Sequence, residues 1–359
     1  LASRYIRELP PTPLLPRAID IPEDKNILLT GVTQSGKSSL ILYHLQQTNQ
    51  EFLYIDFDER DIDEVEFQEL ILKSPKDGVK TLVLDIYNFK IERYIDFIQE
   101  NFPSSRIVVI SWRGDLEIDN FHHIYLQPLS FEEFISFKSG VETIEHTFVR
   151  YSQIGGFPIF PKQSDLFTFR QLKRLFYFAL SNFEIDILKD IAKSIGTPRS
   201  RLNIFSSLKE RRKISKDKFY SSIKKLILEG YVIEVDELNS TITKKHYLID
   251  SALQNSFELR RDFYKLFENM VVSELYKKGE DGKFYKSIDI LIEDKSLAIL
   301  ILPFIEMVSL KRKVGRIYKI IQKLDVKRVE VVTMNFETNF IFKDVEIEAI
   351  KFIRWACSR

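Results

Sequence analysis

The residues best suited to chemistry lie at positions 31–39, GVTQSGKSS. They fit the pattern G-x-x-x-x-G-K-[ST], in which each residue type has a physical task. Gly31 and Gly36 let the backbone curl so that successive N–H groups converge on phosphate oxygens. Lys37 is placed to reach the outer phosphates of a nucleotide, and the Ser38 hydroxyl to ligate Mg²⁺. The expected binding set is Gly31, Thr33, Gln34, Ser35, Gly36, Lys37, Ser38 and Ser39, with ATP and Mg²⁺ as cofactors. A second stretch, TLVLDIYNF at 81–89, ends an apolar run on Asp85, where a Mg²⁺-holding acid belongs. Ile86 stands where many ATPases of this type carry the glutamate that orients the attacking water. Asp56, Asp58 and Glu59 are left either as substitute bases or as loop solvation.

These groups need a scaffold, and the first third supplies its pattern. NILLT at 26–30 is a short apolar run that stops at Gly31, and KSSLILYHLQQ after the loop carries Leu40, Ile41 and Leu45 at helical spacing. The strand–loop–helix context that the motif requires is therefore present. FLYIDF, TLVLD, RIVVIS and HIYLQ are further short β-branched runs with helical patterns between several of them. Alternation of this kind predicts a parallel α/β sheet, whose ligand sits at the carboxyl ends of the strands. That rule brings Asp85 and Ser111 to the phosphates.

The bulk numbers set limits. A chain of 359 residues suits two or three domains, and 44% hydrophobic residues suffice for packed cores. The net charge of +1 names no partner, but its distribution is uneven. Residues 51–70 hold nine acids and one arginine, whereas residues 196–230 hold ten Lys or Arg against three acids. A single cysteine, Cys357, excludes an internal disulfide framework and a cysteine-based metal site, and points to a reducing cytoplasm. No apolar run approaches a membrane span, and LASRYIRELP has no signal-peptide core. The five histidines form no metal-spaced set with carboxylates.

The middle of the chain reads as three helices and a hairpin. SNFEIDILKDIAKSIG starts at a Ser181 or Asn182 cap and stops at Gly196. SRLNIFSSLKER and SKDKFYSSIKKLILEG follow, and YVIEVDEL pairs with KKHYLID around NST. This is the order of a winged helix-turn-helix, whose third helix enters the major groove of DNA. Arg211, Arg212, Lys216, Lys218, Lys224 and Lys225 are the candidate DNA contacts, joined by Lys213 and by Lys244 and Lys245 on the wing. A protein-contact module with a solvated basic face is the alternative. In the last third, helix–strand–strand–helix–strand is the core order of restriction-endonuclease-like folds. Such nucleases need a helix Glu, a strand Asp and a following Glu-x-Lys. Glu268 and Asp289 fit the first two places, but Leu300-Ile301-Leu302 fills the third, so phosphodiester cleavage is not expected.

YLQPLSFEEFISF at 125–137 resembles the AAA-type P-loop ATPases of archaea and bacteria that end in a restriction-endonuclease-like region. YSQIGGFPIFP, HYLIDSALQNSF and LFENMVVSELYKKG are similar to that family's later blocks and occur in its order. The resemblance implies a sensor strand whose polar tip, Ser111, meets the γ-phosphate. In this chain SWRG replaces the family's Gly-Ser, and Asn120-Phe121-His122-His123 replaces its Gly-Arg pair. Arg113 is then either a replacement cation or a surface arginine. The expected architecture is α/β: a P-loop NTPase parallel sheet with a small lid segment (1–164), a winged helix-turn-helix (165–250) and a degenerate nuclease-like α/β domain (251–359). The expected function is a nucleotide switch with weak or regulated hydrolysis, coupled to double-stranded DNA or a protein partner, without membrane. The alternatives are a non-hydrolysing nucleotide-binding scaffold and a DNA-binding protein with an inactive nuclease fold.

Overall fold

The computed structural model describes residues 5–9, 16–57, 62–86, 89–137, 142–158, 165–257 and 262–358. The chain divides into two compact units, 1–127 with 228–230, and 128–227 with 231–359. Among the described residues no helix is long and apolar enough to cross a membrane.

The first unit is built on strands β1 (Tyr5–Ile6), β2 (Ile27–Thr30), β3 (Phe52–Phe57), β4 (Thr81–Ile86), β5 (Arg106–Ser111) and β6 (His122–Tyr125). Their spatial order is β1-β3-β4-β5-β2-β6. All neighbours run parallel except the short edge pair β1–β3. A parallel sheet must be covered on both faces, which explains why its strands read as continuous apolar runs. One face carries Leu28, Leu53, Ile55, Phe57, Leu82 and Leu84 against Phe67, Leu70, Ile71 and Ile98 of helices α2 (Glu64–Lys73) and α3 (Ile95–Asn101). The other face carries Ile27, Leu29, Val83, Val108 and Ile110 against Leu40, Ile41 and Leu45 of α1 (Lys37–Thr48). Because β2 lies between β5 and β6 while the next strand lies beyond β4, the order reverses beside β2. The carboxyl ends of β2, β4 and β5 therefore border one crevice, the usual ligand position of an open α/β sheet.

The second unit opens with α4 (Phe131–Ser136), started by a reciprocal Ser130–Glu133 capping box, and α5 (Ile144–Ile154). Next come α6 (Asp165–Ala179), α7 (Asn182–Lys193), α8 (Arg201–Lys209) and α9 (Lys216–Leu228). The strands β7 (Val232–Glu237) and β8 (Ser240–Leu248) form the hairpin. Its turn is tighter than the NST loop expected from the sequence: Glu237 pairs with Ser240, and Asn239 takes the left-handed φ of 68°. Then follow α10 (Ser251–Phe257), α11 (Phe263–Lys277), β9 (Lys283–Tyr285), β10 (Ile288–Ile292), β11 (Leu297–Ile301), α12 (Met307–Lys323), β12 (Arg328–Thr333), β13 (Thr338–Phe342), β14 (Val345–Lys351) and α13 (Phe352–Trp355). The hairpin and the later strands form a single eight-stranded sheet, β13-β14-β12-β11-β10-β9-β7-β8, bridged where Glu237 pairs with Phe284. The sheet thus runs across residue 250.

A buried polar knot ties this unit together. The Lys277 ammonium, whose side chain is 2% exposed, donates to the Leu129 carbonyl at 3.1 Å, the Tyr151 hydroxyl at 2.8 Å and Asp250 Oδ2 at 3.0 Å. Tyr151 donates to Glu274, Phe131 N–H donates to the other Glu274 oxygen at 3.1 Å, and Gly156 N–H donates to Asp250 Oδ2 at 2.9 Å. Burial pushes the Glu274 carboxyl and the Tyr151 phenol up. These residues belong to PLSF, GGFP, LID and the SELYKK helix, so the blocks that carry the family resemblance meet at one place. Removing the cation leaves two carboxylates in an apolar interior, which costs far more than the pair contributes. Lys277→Met is expected to lower unfolding free energy by about 3–5 kcal/mol. Chemical denaturation measures this, and a loss below about 1 kcal/mol would show that the knot is not closed in solution.

Candidate functional site

The loop after β2 is shaped by two glycines. Gly31 has φ 143°, and a Cβ there would stand 2.2 Å from the Leu126 carbonyl oxygen, so no other residue fits. Gly36 has φ 93° and caps α1 without a side-chain bond, which leaves the first N–H groups of the helix for a ligand. Gln34 takes φ 66°, and Thr33 is buried. The Ser35 hydroxyl is fully buried and has no hydrogen-bond partner. Such an orphan inside a polar loop fits contact with a ligand oxygen. Ser39 follows on the first turn of α1, partly exposed.

Lys37 is 5% exposed and folds back over the loop. Its ammonium donates to the carbonyls of Gly31 at 2.9 Å and Val32 at 3.0 Å, and lies 5.7 Å from the centre of the Trp112 ring. Burial pushes its pKa down to about 8 from the usual 10.5. Ser38 donates to Asp85 Oδ2 at 2.6 Å, and Tyr54 donates to the same oxygen at 2.5 Å. Burial, helped by the Asp85 charge, pushes the Tyr54 phenol up, so Tyr54 stays protonated and acts as a donor. Asp56 pairs in register with Asp85 on the neighbouring strand, on the same face. Ile86 is buried in the core beside Phe57 and Phe89. Asp58 and Glu59 lie outside the described residues.

Ser111 ends β5 in register with Ile86, and its hydroxyl accepts from Arg113 N–H at 3.2 Å. The Arg113 guanidinium is held by Glu92 at 3.1 Å and Asp115 at 3.3 Å, an ordinary surface assignment. His123 bonds Thr30 at 2.7 Å. Two residues of this site were not found by sequence reasoning. Arg17 donates to the carbonyls of Ser35 and Gln127, both at 2.9 Å, and braces the loop from a segment with no motif. Tyr54 was legible in principle, because the alternation Phe52-Tyr54-Asp56 places it on the face that bears Asp85.

The loop is curled at two glycines on an open, largely parallel sheet; Ser38 meets Asp85, and Lys37 folds back onto the loop's own carbonyls. No family model matches the chain, and no curated protein matches it. Among solved structures, the chain is similar to the Walker-type ATPase paby2304 of Pyrococcus abyssi at 15% identity and TM-score 0.45, over 65% of this chain and 90% of that one. It is also similar to a chain of the Drosophila ORC structure bound to AT-rich DNA and Cdc6 at 12% identity and TM-score 0.21, over 65% of this chain and 85% of that one. Both likenesses are distant, and the nucleotide reading stands on this chain's own loop, lysine and carboxylate.

The other expected sites look different. On the helical bundle, Arg212 pairs with Asp186 at 2.8 Å, Lys225 with Glu184 at 2.8 Å, and Arg211 lies 3.8 Å from Asp190. Lys216 and Lys218 lie over the rings of Tyr220 and Phe183, and Lys224 is exposed. On the wing, Lys244 pairs with Asp236 and with Glu234, the latter at 3.5 Å. Lys245 is not on the outer face as expected. It is buried, 3.2 Å from Glu268 and 3.6 Å from Asp289, because successive strand residues point to opposite sides. Tyr247 donates to Glu268 at 2.7 Å, and Ile301 N–H donates to Asp289 at 2.9 Å. Leu300, in the position of the third ligand, is fully buried in the core. The two carboxylates thus already have an ammonium between them. Duplex DNA incubated with this chain and Mg²⁺ or Mn²⁺ is expected to remain intact on a gel; cleavage abolished by Glu268→Gln would overturn this assignment.

Proposed function

We propose that this chain is a P-loop ATPase of the AAA type that binds ATP with Mg²⁺, turns it over weakly, and uses the bound nucleotide as a switch for DNA or partner binding. The observation that carries the reading is the buried Lys37 ammonium, held by two neutral carbonyls and a ring face, beside an orphaned Ser35 hydroxyl. An anionic phosphate improves both situations at once. Lys37 would hold the outer phosphates, and Ser38 with Asp85 would hold Mg²⁺, which neutralises phosphate charge when bound. Ser111 would sense the terminal phosphate from the tip of β5. Arg17 and Tyr54 keep the loop and the Asp85 carboxylate in place. The helical trio α7–α9 with the β7–β8 hairpin supports a winged helix as the switched module.

A second reading, a nucleotide-binding scaffold without hydrolysis, is favoured by Ile86, whose apolar side chain in the core supplies neither a base nor a water ligand. Titration calorimetry with ATP–Mg²⁺ and phosphate release at high enzyme concentration separate the two. Binding with turnover that Lys37→Ala abolishes supports the ATPase; binding without turnover supports the scaffold; no binding removes both.

The pH dependence gives a further test. Lys37 carries its charge below about pH 8 and loses it above, whereas a phosphate-bound lysine keeps the proton. ATP affinity is therefore expected to hold near neutrality and to fall above about pH 8, approaching tenfold per pH unit. A flat profile through about pH 9 would show that this ammonium does not receive the phosphate.

A further inference from the structure

Helix α12 carries Lys311, Arg312, Lys313, Arg316, Lys319 and Lys323 and no acidic residue. Its buried positions are Leu310, Val314, Ile317 and Ile321, packed on the sheet. Arg312, Arg316, Lys319 and Lys323 repeat the same spacing two residues later. That offset is about 200° around the helix, so they form a stripe almost opposite the buried one. All four are exposed, and among the described residues none has an ion-pair partner. The contrast is with the winged-helix cations Arg211, Arg212 and Lys225, which have carboxylates of α7 within 3.8 Å.

Gly315 lies beside the stripe, exposed, in the interior of the helix. A glycine there weakens a helix. Packing does not require it, since a Cβ would meet only the Phe342 ring, at an ordinary 3.8 Å. A missing side chain flanking four cations leaves the helix backbone open to close approach from outside.

We propose that the outer face of α12 binds the phosphate backbone of double-stranded DNA through Arg312, Arg316, Lys319 and Lys323. The stripe is about 17 Å long at the rise of an α-helix. This matches about five phosphate steps along one strand. A basic amphipathic helix can also serve an anionic membrane, but that requires a free apolar face. Here Leu310, Val314, Ile317 and Ile321 are at most 3% exposed and committed to the core, and Val308 in the first turn is the helix's one large apolar side chain in solvent, so no continuous apolar face is free for a membrane. Contacts of this kind are to phosphates and carry no sequence preference. The proposal does not rest on nucleotide binding at the loop.

The test uses the full chain, without nucleotide, and fluorescence anisotropy with a labelled mixed-sequence duplex over a salt series. The variant R312Q/R316Q/K319Q/K323Q is expected to weaken binding at least about tenfold and to reduce the log–log salt slope by about 3 to 4. Its melting temperature should match the parent, because all four side chains lie in solvent. The variant K216Q/K218Q/K224Q should bind nearly as the parent does. Parent-like affinity and slope in the α12 variant would overturn the proposal, as would loss of binding in the α9 variant alone. Failure of the parent to bind duplex at low salt, or capture on phosphatidylserine vesicles but not on duplex, would overturn it too.

Discussion

The larger unit depends on a single buried ammonium being neutralised. Lys277 enters an interior where an unpaired charge is costly, and the chain surrounds it with Asp250, Glu274, the Tyr151 hydroxyl and the Leu129 carbonyl. Each partner comes from a different element: the strand-to-helix corner after β8, α11 itself, α5, and the turn before α4. None of these can move alone without leaving a charge or a hydroxyl unsatisfied. Local pieces of modest stability are converted by this knot into one body, and Gly156 adds its N–H to the same carboxylate.

Among the described residues the side chains of Lys37, Lys245 and Lys277 are all buried, and their company separates structure from chemistry. Lys277 and Lys245 have carboxylates at bonding distance. Either would lose by exchanging them for a phosphate. Lys37 is held by carbonyl dipoles and a ring face, which stabilise an ammonium without neutralising it. Its depressed pKa is the energetic signature of that shortfall. A buried cation whose closest partners are neutral is a place where an anion gains, and this distinguishes the loop from the Glu268–Asp289 pair, where an internal cation has closed the site.

The sequence disclosed what is local. The phosphate loop, the strand before it and the helix after it lie within about twenty residues, and their glycine, hydroxyl and apolar periods specify them without long-range help. The first helix of the bundle was legible from Ser181 and Glu184, which form the cap they advertise. Charge was less informative than pattern. Arg211, Arg212 and Lys225 read as a basic run, yet their acids, Asp190, Asp186 and Glu184, stand on another helix, and spacing along the chain cannot show that they face each other. Lys244 and Lys245 were open to a better reading, because neighbours on a strand cannot share a face. Arg17 was invisible, since its bond to Gln127 spans 110 residues.

The arrangement around Asp85 bears on the proposal that this chain binds nucleotide and turns it over weakly. One carboxylate oxygen accepts from both Ser38 and Tyr54. Two donors on one oxygen fix the carboxylate's position. Position 86, which commonly supplies the second carboxylate, instead fills the hydrophobic face with isoleucine, so the core gains packing that the chemistry forgoes. Asp56 stands beside Asp85 in register on the adjacent strand. Under the proposed reading, Ser38 and Asp85 would hold a positive ion against a phosphate chain, while among the described residues position 86 offers no carboxylate to drive water onto it.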